Sequence, residues 1–239
     1  MVACLQGAML LTYSKSKSIK KPAGYHLRVF LLQNLKFEYP EEFMNHTKTG
    51  IGNRVIYNTF TYRIMLPYGK SILKESFFVL LNYERKMLIN TAVIEHQHNM
   101  ETILRMNSVD YKDLDYVINI TSFPEDIGLN SIIQFKNRRI KFFSHPDEIK
   151  FIEDTVYQHE MRYIPGFYRL VSGNTQGIEA LQDGQTFDLG EERATIHFLE
   201  NTHIGKFFIQ LNRSGIKIFA DGLKDSGTYI RKKRALTIL

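Results

Sequence analysis

Apolar and polar positions along this chain change period several times, and each change predicts an element. From Thr59 the alternation Thr59-Phe60-Thr61-Tyr62-Arg63-Ile64-Met65-Leu66 reads as a strand, Pro67-Tyr68-Gly69 as a turn, and Ser76-Phe77-Phe78-Val79-Leu80-Leu81 as a second strand. Met87-Leu88-Ile89-Asn90 comes after a tight polar link and pairs back as a third strand, which makes a β-meander. Apolar residues at 94, 100, 103, 104 and 106 then suit an amphipathic helix lying on the sheet.

A second strand-to-helix unit runs from Asp115 to Asn130. Val117, Ile118 and Ile120 are a short β-branched run of the kind found in covered strands, and Ile127-Gly128 opens a helix-like segment to Phe135. Arg139 to Phe143 reads as a further strand ending at Ser144-His145-Pro146-Asp147, with Pro146 starting a short helix toward Val156. This alternation argues for an α/β chain. The last third returns to meander over Gly177 to Leu181, Thr186 to Gly190, Ala194 to Leu199, Lys206 to Leu211 and Ile216 to Ala220, with Arg213-Ser214-Gly215 as a hairpin turn. No short internal repeat is present, and the coarse order is two β-then-α halves, the second incomplete. Before the meander, residues 1–22 lack a clear period and read as a basic leader or arm, Tyr25 to Leu32 as a strand, and Glu38 to Asn58 as an irregular connection. Residues 23–239 are expected to form a single domain ending in a basic tail over 225–239.

Composition narrows the class. A chain of 239 residues with 44% hydrophobic and 13% aromatic content can bury a full core, so disorder of the whole is excluded. The single cysteine, Cys4, excludes an intramolecular disulfide and any cysteine-built zinc site, and suits a reducing, cytoplasmic setting. Met1 to Leu11 is apolar but far short of the roughly 20 residues that cross a bilayer, and no basic residue precedes it; a degenerate signal peptide is the alternative reading. The net charge of +6 includes clusters at Lys15, Lys17, Lys20 and Lys21 and at Arg231 to Arg234. These read either as solvated ends or as phosphate-attracting arms, with RNA as the partner.

Several fragments, taken in order, resemble the metallo-β-lactamase superfamily over residues 59–224, and most closely its small hydrolases of the metallo-β-lactamase domain-containing protein one type. Ile89-Asn90-Thr91-Ala92 stands where that family has Val-Asp-Thr-Gly. Leu114-Asp115-Tyr116-Val117 through Ile127-Gly128 stands where it has a strand running into Thr-His-x-His-x-Asp-His-Ile-Gly. The Leu181 to Phe187 hairpin, Glu200-Asn201-Thr202-His203-Ile204-Gly205 and Ala220-Asp221 match its later motifs. The resemblance implies an α/β (α+β) fold, a four-layer αββα sandwich with its second half incomplete, and a one- or two-zinc site at one sheet edge.

The ligand positions are where this sequence departs from the pattern. Family zinc sites use paired imidazoles with a nearby carboxylate, leaving a position for the water that becomes the nucleophile. Aligned on Ile127-Gly128, those positions here hold Thr121, Phe123, Glu125 and Asp126, and no histidine remains in the loop. Glu125 and Asp126 read either as weak carboxylate remnants or as an acidic first turn favoured by its helix dipole, opened by Pro124. His203 sits beside Thr202 at the third ligand position, where a one-residue bulge would turn it inward; otherwise it is a loop histidine. Asp221 matches the metal-bridging aspartate or is the Asp-Gly turn after a strand. His96-Gln97-His98 is a His-x-His in or just before a helix, where residues two apart diverge by roughly 200° and form no paired site. His145 suits a helix cap. No nucleophile elbow, Walker loop or dinucleotide fingerprint occurs.

These residues leave three functional readings. The first is a metallo-β-lactamase-fold pseudo-hydrolase or binding scaffold without a catalytic zinc site or other cofactor, engaging a protein partner or a second copy of itself. The second is a divergent hydrolase of ester, phosphodiester or RNA substrates, keeping a reduced zinc site through Asp126, His203 and Asp221, with Glu125 as a weaker ligand. The third is a basic nucleic-acid-binding module. The odd leader and the missing final ligand strand are also consistent with an incomplete gene product.

Overall fold

In the computed structural model, the periods seen in the sequence separate into two sheets. Residues 3–5, 8–10, 48–49, 54–65, 71–164, 166–200, 206–220, 222–224 and 229–231 are described. β1 (Ala3–Leu5) and β2 (Ala8–Leu10) pair only with each other. The first main sheet is seven-stranded, in the order β3 (Lys48–Thr49), β4 (Val55–Met65), β5 (Ser71–Asn82), β6 (Lys86–Ile89), β7 (Tyr116–Asn119), β8 (Lys141–Ser144) and β9 (Ile178–Ala180). It is antiparallel from β3 to β6 and parallel from β6 to β9.

Parallel neighbours need crossover connections, and the helices supply them. α1 (Gln97–Met106) joins β6 to β7, α2 (Pro124–Ile127) and α3 (Asn130–Lys136) join β7 to β8, and α4 (Pro146–Glu153) and α5 (Thr155–Arg162) join β8 to β9. The second sheet is a six-stranded antiparallel meander of β10 (Thr186–Asp188), β11 (Arg193–Phe198), β12 (Phe207–Leu211), β13 (Lys217–Phe219), β14 (Gly222–Lys224) and β15 (Tyr229–Arg231).

The layer order comes from side-chain alternation. On β5, Phe77, Val79 and Leu81 enter a core between the sheets, while Phe78 and Leu80 enter a core beneath the helices. Val117 and Ile118 on β7, and Phe142 and Phe143 on β8, divide in the same way. Both faces of the first sheet are therefore covered, which is why its strands read as unbroken apolar runs. β12 instead alternates buried and half-buried residues, the pattern of a sheet with one covered face. Among the described residues no helix lies over the outer face of the second sheet.

The α/β class, the meander, the helix after it and the hairpin at residues 213–215 stand as expected. Four details differ. β4 begins at Val55, so Val55 to Asn58 belong to a strand and not to an irregular connection. β5 extends back to Ser71. The strand near Gly177 does not open the final meander; β9 pairs in parallel with β8 and closes the first sheet. A separate helix, α5, comes after the one started by Pro146. The turn at Pro67-Tyr68-Gly69 and the strand at Tyr25 to Leu32 lie outside the described residues.

Candidate functional site

β6 and β7 end side by side, and a cluster of buried amide side chains shapes the loops beyond them. Asn90 is left-handed at φ 60° and accepts the Ile120 N–H through Oδ1 at 3.0 Å. Thr91 donates its N–H to the Asp126 carbonyl at 2.7 Å and its hydroxyl to Asn130 Oδ1 at 2.8 Å. Asn119 Nδ2 donates to that same Asp126 carbonyl at 3.1 Å, and Asn130 Nδ2 donates to Asn119 Oδ1 at 2.8 Å. These four polar side chains are fully buried, and their hydrogen bonds offset most of the desolvation, Asn90 Nδ2 alone of their amide groups making none among the described residues. Together they set the path of residues 120–127.

The side chains of that loop are engaged by the protein itself. Thr121 Oγ1 donates to Asp126 Oδ2 at 2.5 Å and accepts the Phe123 N–H at 3.3 Å. Ser122 donates both its backbone N–H, at 3.0 Å, and its hydroxyl to Glu148 Oε2 on α4. Gln158 Nε2 on α5 donates to the Ser122 carbonyl. Arg162 pairs with Glu148 at 3.3 Å, and its guanidinium lies 4.6 Å from the centre of the Phe123 ring and 4.0 Å from that of Phe151. Glu125 faces Lys74 of β5 at 3.6 Å. The first turn of α2 carries Glu125 and Asp126 behind Pro124.

Next along the sheet edge, His145 caps α4, its Nδ1 accepting the Asp147 N–H at 3.2 Å, with its ring 4.6 Å from that of Phe198. Burial lowers the His145 pKa, partly opposed by the Asp147 carboxylate. Lys206 donates to Asp147 at 2.9 Å, and this bond holds the Asp147 carboxyl below the usual range. The ends of β8 and β11 thus meet beside the loop after β7.

Of the residues expected to hold a metal, Asp126 is buried at 1% exposure against Thr121, and Glu125 is partnered by Lys74. His203 and Asp221 lie outside the described residues. His96 and His98 do not pair: His96 is buried against Phe60 and Tyr62, while His98 is exposed on α1. Among the described residues no group of three or more His, Cys, Asp or Glu is placed to hold a metal ion. The described part of the loop therefore does not fit the imidazole-rich donor set that zinc takes in this kind of fold. Sequence reasoning did not single out Glu148, Gln158 or Arg162, which hold the loop from helices α4 and α5. The buried Tyr62 hydroxyl, its pKa raised by burial and then by Glu125 and Asp126, was missed as well.

Two packed sheets, the first covered by helices on its far side and carrying this loop at one edge, are three of the four layers of the metallo-β-lactamase fold. Solved structures of that fold match the chain. The subclass B3 metallo-β-lactamase BJP-1 of Bradyrhizobium japonicum superposes with a TM-score of 0.51 at 12% identity, over 61% of this chain and 56% of its own. A metallo-β-lactamase family protein of Thermus thermophilus gives 0.52 at 15% identity, over 67% of this chain and 58% of its own. A mutant flavo di-iron protein of Thermotoga maritima gives 0.51 at 12% identity, over 72% and 41%. The chain thus spans a little over half the length of the first two. No family model matches the sequence, and no curated protein matches it. No helix among the described residues is long and apolar enough to cross a membrane.

Proposed function

We propose that this chain is a metallo-β-lactamase-fold protein whose zinc loop has become a structural loop, so that it serves as a binding scaffold and not as a hydrolase. One observation carries the reading. All four ligand positions of the loop are committed to protein contacts: Thr121 to Asp126, Phe123 to the Arg162 guanidinium, Glu125 to Lys74, and Asp126 to Thr121. A zinc ion needs deprotonated ligands that converge with an open position, and recruiting these groups would break contacts already made. The narrower likeness to hydrolases of the metallo-β-lactamase domain-containing protein one type rests on the sequence fragments around Asp115 to Gly128 and Leu181 to Phe187. It implies a hydrolytic ancestor for the scaffold.

The test is the metal content of the full chain purified from zinc-supplemented culture, together with its thermal midpoint with and without added zinc. Well below one zinc per chain, and no rise in midpoint, is the expected result, because a ligand that binds only the folded state must raise it. Stoichiometric zinc would overturn the proposal and favour a reduced site built on Asp126, His203 and Asp221.

A further inference from the structure

Among the described residues, the second sheet packs only one of its faces into a core. Phe187, Ala194, Ile196, Phe207, Ile209, Leu211 and Ile218 fill the core between the sheets. On the other face of β11, β12 and β13 stand Thr195, His197, Phe208, Gln210, Lys217 and Phe219, all half-buried. The solvent side of an antiparallel sheet is ordinarily polar. Here three rings cross three strands in a row: His197 stacks on Phe208 with centroids 4.9 Å apart and planes 18° from parallel, and Phe208 stacks on Phe219 at 5.1 Å and 27°. Lys217 Nζ lies 5.4 Å from the centre of the Phe208 ring.

Strand register extends this row and its neighbour to the sheet edge. Gly222 pairs with Phe219 and Arg231 with Gly222, so the aromatic row runs on to a cation. In the adjacent row Thr186, Thr195, Gln210, Lys217, Lys224 and Tyr229 succeed one another across the strands. Neither row contains an acid. Arg231 also begins the basic run Arg231-Lys232-Lys233-Arg234, in a chain whose net charge is +6. In sequence that run looks like a solvated tail because no aromatic residue interleaves with it. The rings stand instead on β11, β12 and β13, in the row whose register reaches Arg231.

We propose that this outer sheet face binds single-stranded nucleic acid, the rings of His197, Phe208 and Phe219 contacting bases and the positions of Lys217, Lys224 and Arg231 meeting phosphates. Aromatic groups bordered by cations on an open sheet are the elements that single-strand binders combine, stacking for the bases and charge for the backbone. The charge selects a polyanion, and the rings select one whose bases are not already paired. The surface is distinct from the loop after β7, so the proposal stands or falls independently of zinc content.

Fluorescence anisotropy of the full chain with a labelled uridine-rich RNA oligomer tests it, with the matching single-stranded DNA, a duplex RNA and heparin as comparison arms. The expected result is tighter binding of the single strands than of the duplex, with affinity falling steeply as salt rises. Phe208→Leu should weaken single-strand binding on the order of tenfold while leaving heparin binding unchanged. Lys217→Glu should weaken both and flatten the salt dependence. Unfolding midpoints confirm that each variant is folded, and if Phe208→Leu does not fold, the Lys217→Glu result decides alone. The proposal is overturned by absent binding at low salt, by equal affinity for duplex, or by folded variants that bind as the parent does. It is equally overturned if the substitutions dissociate a dimer, which would make the face a contact between two copies of the chain.

Discussion

Thr121 and Asp126 close the loop after β7 on itself, the threonine hydroxyl donating to the buried aspartate carboxylate at 2.5 Å. A charge-assisted hydrogen bond inside the protein is stronger than a neutral one, and losing it leaves the acceptor less well solvated than water would. Thr121→Val keeps the shape and removes the donor. It is expected to cost about 1–3 kcal/mol in urea unfolding. A loss within experimental error would mean that the pair does not hold the loop, and would weaken the structural-loop reading.

Gly128 allows the chain to cross beneath the 3-10 turn that precedes α1. A Cβ at this position would lie 2.2 Å from the Leu170 carbonyl oxygen, 2.7 Å from that of Ala92 and 2.7 Å from Val93 Cα. All three are backbone atoms, so no rotamer change relieves the clash, and the backbone must move. Gly128→Ala should therefore destabilise by about 3 kcal/mol or more, beyond the ordinary cost of overpacking. Gly184 is a useful comparison, since a Cβ there meets no atom within 4 Å. Its left-handed φ of 75° leaves only a conformational cost for Gly184→Ala. A smaller effect at Gly128 than at Gly184 in thermal or urea unfolding would contradict this packing.

How much of this was legible depends on how local the determining contacts are. β5 and β7 could be read because a sheet covered on both faces gives continuous apolar runs, and the helix α1 because its buried Met100, Ile103 and Leu104 recur at the helical period. α5 could not, since its buried residues are Thr155 and Gln158, two polar side chains that leave no apolar stripe. β9 is three residues long, and nothing local states that its partner is β8 and not the meander after it. The start of β4 was hidden by Asn58, a fully buried polar residue that interrupts the alternation. At the site, the absence of histidine from residues 121–126 is plain in the sequence. The groups that hold the loop are not, because Glu148 reaches Ser122 across 26 positions and Gln158 across 36.

Arg162 links the loop after β7 to the helices. Its guanidinium sits against the Phe123 and Phe151 rings and pairs with Glu148, whose carboxylate in turn accepts from Ser122. The planar group can stack on a ring and offer several N–H donors in a fixed fork, where an ammonium acts as a compact point charge. Arg162→Ala should cost about 1–3 kcal/mol, since it removes the stacking and one partner of a half-buried carboxylate. Arg162→Lys should recover only part of that loss. Equal stability of the lysine variant and the parent in urea unfolding would show that charge alone suffices and that the stacked rings contribute nothing.

His96 carries the pH dependence. Its ring is 3% exposed and lies 4.9 Å from that of Phe60 and 5.7 Å from that of Tyr62, and burial pushes its pKa down to about 4 from 6.5. A histidine with a depressed folded-state value must be neutral in the native protein, while in the unfolded chain it takes up a proton near pH 6.5. Stability from this group is therefore complete above the unfolded value and falls as pH drops through the window from 6.5 toward 4. The full loss is about 3 kcal/mol across that window. Between pH 6.5 and 5 most carboxylates remain ionised, so the slope there reports on histidines, His96 together with His145, whose value burial also lowers. His96→Phe removes the titration and keeps an aromatic ring between Phe60 and Tyr62. Its unfolding free energy should decline less steeply than the parent's over that upper range, the remaining slope coming from groups such as His145; parallel curves for the two proteins would place the pH response elsewhere in the molecule.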